Sequence, residues 1–163
     1  MPVDSVVRGR ALGVVPAADV LAVKKRLRLA LAALDRRKCS CTLVLTDDDE
    51  IRALNRDFRY MDRATDVLSF HLQELAGEAD PAGDGIHLGD IVISIETARR
   101  RAPGKKLVTE LERLAIHGLC HLFGHDHKRA KQATVMYALE RRLRRLKAAS
   151  KAPLRSGKRP VSV

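Results

Sequence analysis

The run His117-Gly118-Leu119-Cys120-His121-Leu122-Phe123-Gly124-His125-Asp126-His127 holds four of the chain's six histidines. Four residues apart on a helix, His117 and His121 project from one face, one turn from each other, so both imidazoles reach a single ion. Gly124 has no Cβ and can take the left-handed conformation that stops the helix and turns the chain, which brings His127 to the same ion. Three neutral imidazoles with an open fourth position are the donor set of a catalytic zinc site, where bound water loses a proton near neutral pH. A structural site is more often closed by a fourth protein ligand. The expectation is one Zn2+ per chain, preferred over nickel or copper on ligand type and availability.

The spacing is that of the metzincin proteases, H-E-x-x-H-x-x-G-x-x-H, with Gly118 where they carry glutamate. That carboxylate is their general base, contributing on the order of a hundredfold or more. A metallopeptidase is therefore only an alternative. Asp126 is either an orienting partner of a ligand or a simple turn residue. His125 reads as an exposed bystander beside His127, and His71 and His87 as ordinary surface residues without ligand spacing.

The elements that must position these histidines follow from periodicity. Residues 17–35 place Val20, Val23, Leu27, Leu31 and Leu34 at helical spacing after Pro16. CTLVLT at 41–46 alternates as a strand. Asp47 with Glu50 three residues later forms a capping box, opening a helix with Ile51, Leu54 and Phe58 inward. DVLSF at 66–70 and LGDIVIS at 88–94 are further strands, separated by a Gly-rich and acidic surface loop. A brief helix from Ser94 to about Ala102 ends at Pro103-Gly104, and a long one from Lys105 to Phe123 carries His117 and His121. A last helix over 130–147 has Val135, Leu139, Leu143 and Leu146 inward. Strands mixed with helices at this length argue for one α+β domain over 1–148, and the basic stretch 149–163 has too few apolar residues to fold alone.

The chain has 163 residues, 45% of them hydrophobic, which is enough for one ordinary core. No stretch approaches the roughly 20 apolar residues of a membrane span, and MPVDSVVRGRALG lacks the apolar centre of a signal peptide. Cys39, Cys41 and Cys120 are odd in number and read as reduced residues of a cytoplasmic protein. A net charge of +11 implies a polyanionic partner, nucleic acid before acidic protein. Nine Lys and Arg lie between Arg141 and Arg159, with no acid after Glu140. Aromatic residues make up 3% of the chain and Trp is absent, so contacts to RNA should fall mainly on phosphates and shape.

The histidine run, together with Leu54-Asn-Arg-Asp-Phe-Arg59-Tyr-Met-Asp62-Arg-Ala-Thr65-Asp66-Val-Leu-Ser69-Phe70 and Leu88-Gly89-Asp90-Ile-Val-Ile-Ser94, resembles the YbeY family of zinc-dependent endoribonucleases that mature bacterial rRNA. The three motifs occur in the family's order, and the resemblance spans roughly residues 40–128. Ala64 stands where the family often has Pro, and His125 where Tyr is frequent. The resemblance implies a small mixed four-stranded sheet packed with about five helices and a zincin-like site with His117, His121 and His127 as metal ligands. It also implies a substrate groove containing Arg59, where a guanidinium can bind the scissile phosphate; on the residues alone, Arg59 reads first as a surface ion pair. Thr65, Asp66 and Ser69 would fix the turn and sheet edge that carry Arg59.

The function so implied is a single-strand-preferring endoribonuclease acting on rRNA, with the 16S precursor 3′ end as substrate, in ribosome maturation and quality control. Its partners would be RNA and components of the small ribosomal subunit, with no membrane. The rival from another class is a non-catalytic ribosome assembly factor in which zinc only holds the C-terminal helices together.

Overall fold

The strands at the centre of the sheet are the two richest in β-branched and aliphatic residues. The computed structural model describes residues 3–72, 86–125 and 129–147. Strands β1 (Val3–Val7), β2 (Ser40–Thr46), β3 (Val67–His71) and β4 (His87–Ser94) form one sheet in the order β1-β2-β4-β3. The β1–β2 and β2–β4 pairs are parallel, whereas β3 runs antiparallel to β4, so the sheet is mixed. In β2 the run Leu43, Val44, Leu45 is buried throughout, as is Ile91, Val92, Ile93 in β4, because both faces of these strands are covered.

Five α-helices lie among the described residues: α1 (Ala17–Ala33), α2 (Asp48–Arg59), α3 (Ile95–Arg101), α4 (Leu107–Leu122) and α5 (Ala130–Arg144), with a 3-10 turn at Gly9–Ala11. The larger core joins α1, α3, α4 and α5 to one face of the sheet through Leu27, Leu31, Leu43, Ile93, Leu111 and Leu119. On the opposite face α2 seats Ile51 against Val44, Phe70 and Val92. No helix among the described residues is long and apolar enough to cross a membrane. Cys39, Cys41 and Cys120 are free and buried, and burial pushes the Cys41 and Cys120 thiols up to about 12.

Three expectations change. Val3–Val7 is a strand that the periodicity did not single out; five residues with only Val3 fully buried give a weak signal, and the parallel register with Cys41–Leu45 makes it one. Phe58 is 43% exposed instead of core-facing. In the last helix Leu143 is buried and Leu139 and Leu146 pack against the core as expected, but Val135 is 56% exposed, and Met136 and Glu140 are buried as well. The loop 73–85 and the tail 148–163 lie outside the described residues.

The joint between β2 and α2 is electrostatic. Asp47 caps α2 by accepting from the Glu50 N–H at 3.0 Å, and its other oxygen accepts from the Arg10 N–H at 3.0 Å. Glu50 does not return the bond; its carboxylate accepts from the Thr46 hydroxyl at 2.7 Å and pairs with Arg8, so half of the expected capping box forms. The Arg10 and Glu50 N–H groups hold the Asp47 carboxyl below the usual range. Burial penalises the neighbouring Asp48 carboxylate, but hydrogen bonds from Ser94, Thr97 and Arg100 outweigh that and hold it low as well.

A carboxyl depressed on folding contributes stability above its unfolded pKa and loses it as pH falls through the folded value. Acid should therefore weaken the fold below about pH 4. Replacing Asp47 by Ala should cost about 1–2 kcal/mol at pH 7, with the deficit shrinking as the wild type is acidified. Urea unfolding at pH 7 and pH 3 checks this; a deficit that does not change with pH would contradict it.

Candidate active site

The C-terminal half of α4 carries His117 and His121. Their Nε2 atoms approach to 3.1 Å with the rings inclined at 75°. Two imidazoles bound about 2.0–2.1 Å from one tetrahedral ion have nitrogens roughly 3.3 Å apart, so the pair is spaced as two ligands of a single cation. The other nitrogen of His117, Nδ1, lies 2.6 Å from Glu140 Oε1 on α5. An ionised carboxylate only accepts, so Nδ1 carries the proton and the Nε2 lone pair is left facing His121. Glu140 is 8% exposed and was not a candidate from the sequence.

After Leu122 the chain closes through Gly124 at φ +85: the Gly124 N–H donates to His121 O at 2.9 Å and the His125 N–H to Cys120 O at 3.1 Å. This is a Schellman closure, and it stops the helix at the glycine as expected. His127 and Asp126 lie outside the described residues; among those described, no group of three or more His, Cys, Asp or Glu could hold a metal ion. The His117–His121 spacing and the Glu140 bond nonetheless suit zinc, because they orient neutral nitrogen donors. His125 is half-buried and lines a cleft of about 310 Å³ with Gly124, Lys131, Gln132 and Val135, so it is less a bystander than expected. His87 accepts or donates at 2.9 Å with the Ser40 hydroxyl, which gives it a structural use at the sheet end.

Gly118 explains the missing glutamate. A Cβ at this position would stand 2.7 Å from Ile91 Cγ2 and 3.0 Å from Ser69 Oγ. The helix lies so close to β4 here that even a methyl group would force Ile91 to shift. A carboxylate in the metzincin position would be driven into the sheet instead of toward a metal-bound substrate.

Ser69 joins the two halves of the site. Its hydroxyl donates to Gly118 O at 2.9 Å, and its own carbonyl accepts from Arg59 Nη2 at 2.8 Å. The Arg59 guanidinium also stacks 5.0 Å from the Phe70 ring centroid. Arg59 is therefore held toward β3 and the histidine helix. Asp66 accepts from the Val67 N–H at 2.8 Å and pairs with Arg101 at 2.9 Å, fixing the turn into β3. Just after Arg59, Tyr60 closes α2 at φ 60 and ψ 31, a left-handed conformation that costs a residue with Cβ about 1–2 kcal/mol.

The family model described as endoribonuclease YbeY matches residues 18–147. The chain belongs to the endoribonuclease YbeY family. Membership makes it a hydrolase of phosphodiester bonds. It is 42% identical over 139 residues to endoribonuclease YbeY of Anaeromyxobacter dehalogenans, covering 84% of this chain and 69% of that one. It is 44% identical to the YbeY of Aquifex aeolicus over 109 residues, 66% of this chain and 69% of that one. Against the longer Myxococcus xanthus protein, identity is 45% over 71% of this chain and 39% of that one. The solution structure of TM1509 from Thermotoga maritima superposes with a TM-score of 0.55 at 24% identity, covering 87% and 86% of the two chains, which supports the α+β fold.

The close approach at Gly118 sets a test of the packing. Gly118→Ala gains about 1 kcal/mol of helix propensity but overpacks the Ile91 contact, so it should lose about 1–3 kcal/mol net. Urea denaturation measures it, and a stabilised variant would mean that the helix can lift from the sheet without penalty.

Proposed function

We propose that the chain is a zinc-dependent endoribonuclease that cleaves single-stranded rRNA, with the 3′ end of the 16S precursor as substrate, in ribosome maturation and quality control in the cytoplasm. His117, His121 and His127 would hold the ion. When bound, zinc supplies a Lewis acid for water or a phosphoryl oxygen. The observation that carries the reading is the approach of the His117 and His121 Nε2 atoms to 3.1 Å while Glu140 accepts a hydrogen bond from His117 Nδ1–H.

The remaining work falls to side chains. Glu140 keeps the His117 ring in one tautomer and one orientation, so its donor nitrogen needs no reorganisation. Arg59, held by Ser69 O and the Phe70 ring, offers guanidinium N–H groups to a phosphate and balances the charge that grows on its oxygens during cleavage. The surplus of Lys and Arg, with a net charge of +11, draws the RNA and components of the small ribosomal subunit bearing it.

The non-catalytic alternative is favoured by one fact: the Glu140–His117 bond ties α5 to α4, as a structural zinc site would. The two readings part on variants. In the enzyme, His117→Ala should lose zinc and cleavage of precursor rRNA while keeping its circular dichroism and RNA binding. Arg59→Ala should retain zinc and lose about 10²–10³ in kcat. If His117→Ala unfolds and releases RNA together, the assembly-factor reading stands; equal cleavage by wild type and both variants would expose a contaminating nuclease.

Glu140→Leu should weaken zinc binding about 10–100-fold. Competition with a chromophoric chelator reads this without reference to activity. Unchanged affinity would remove Glu140 from the metal site.

A further inference from the structure

Tyr60, next to Arg59 in the chain, carries an aromatic ring that the fold leaves exposed. Of the chain's three Phe and two Tyr, Phe58 and Tyr60 flank Arg59 in sequence and Phe70 lies against its guanidinium. Phe70 is buried in the sheet, Phe58 meets it edge-on at 5.2 Å and is 43% exposed, and Tyr60 is 92% exposed. Met61 beside them is 41% exposed.

Tyr60 is the unusual member. It occupies the left-handed closing position of α2, with its N–H donating to Arg56 O and the next N–H, of Met61, to Asn55 O. Gly124 closes α4 in the same backbone region, where glycine fits without strain. A tyrosine at this point strains the backbone, and its ring is too exposed to return the loss through burial. Strain retained at an exposed position beside a functional group is a mark of use. The neighbour is Arg59, about 3.8 Å away from Cα to Cα along the chain, whose guanidinium is fixed by Ser69 O and Phe70. Arg52 and Arg56 on the same helix add positive charge around it, partly balanced by Asp62 and Asp57.

We propose that Tyr60, flanked by Phe58 and Met61, is a stacking platform for one unpaired base of the RNA, adjacent to the phosphate held by Arg59. This rests on the endoribonuclease reading above and deepens it by giving the site a reason to prefer single strands. A base already paired in a duplex is stacked on its neighbours and gains nothing from the ring, whereas a splayed base gains a π-face. The low aromatic content of the chain does not oppose this, because three of its five Phe and Tyr adjoin Arg59 in sequence or in space.

The test uses the full-length, zinc-loaded protein with labelled single-stranded oligoadenylate and a duplex RNA of equal length. Tyr60→Gly should relieve the left-handed strain and raise Tm by about 2–4 °C, so weaker binding cannot be ascribed to unfolding. It should raise Kd and KM for the single strand about tenfold, leaving kcat within twofold and duplex binding unchanged. Tyr60→Phe should behave as wild type, since the face and not the hydroxyl is used. Because the chain has no Trp, Tyr137→Phe leaves Tyr60 as the sole tyrosine, and its emission should be quenched by the single strand. Tyr60→Gly that binds single strands like wild type, or weakens single strand and duplex alike, overturns the stacking platform while leaving cleavage through Arg59 intact. A wild type that neither binds nor cuts single strands overturns the endoribonuclease reading and the platform with it.

Discussion

Helix α4 lies so close to the sheet at Gly118 that only a residue without Cβ fits between Ile91 and Ser69, and the geometry of the site follows from that approach. It brings the helix carbonyl at Gly118 within reach of the Ser69 hydroxyl, so β3 is pinned to the histidine helix at one point. The same serine's carbonyl takes the guanidinium of Arg59 from α2, on the other side of the sheet edge. With the helix rotated so that Gly118 meets the sheet, its neighbour His117 and His121 one turn later are directed away from the core and toward α5. A single packing constraint thus connects Arg59, the proposed phosphate ligand, to His117 and His121, the proposed metal ligands. It also removes the space in which a protease would keep its general base.

Charge plays two separate parts. The chain is strongly basic overall, yet several of its acids act within the fold: Asp47 and Asp48 at the joint of β2, α2 and α3, Glu110 with Arg113, Glu112 with Arg26, and Glu140 with His117. Arg26 also donates to the Leu143 and Leu146 carbonyls, so α1 holds both α4 and the end of α5. Asp47 satisfies a helix-end N–H, and Asp48, Glu112 and Glu140 tie side chains of packed or neighbouring elements together. The basic surplus is left to act on a polyanion.

Much of this was legible before the fold. The His117/His121 spacing, the stop at Gly124, the strand patterns of 41–46 and 88–94 and the capping Asp47 are local features, set by helical and strand periods and by the conformational range of glycine. The absence of a glutamate at 118 was also visible, but as a loss; only the Ile91 contact shows that the site has no volume for one. Val3–Val7 escaped because a five-residue edge strand needs its partner to be recognised. Glu140 escaped because hydrophobic periodicity counts a glutamate as outward, and a buried Glu140 is stable only where an imidazole N–H meets it.

What the sequence determined by itself was the donor set: which residues could bind a metal or a phosphate, and how they are spaced along single elements. Spacing within an element depends on bond geometry and on the residues in between, so it can be read locally. The tertiary structure decided the pairings between elements: Glu140 with His117, Ser69 with both Gly118 and Arg59, and Phe70 beneath the guanidinium. These partners lie 10 to 49 positions apart, and they meet only because burial of the shared core brings their helices and strands together.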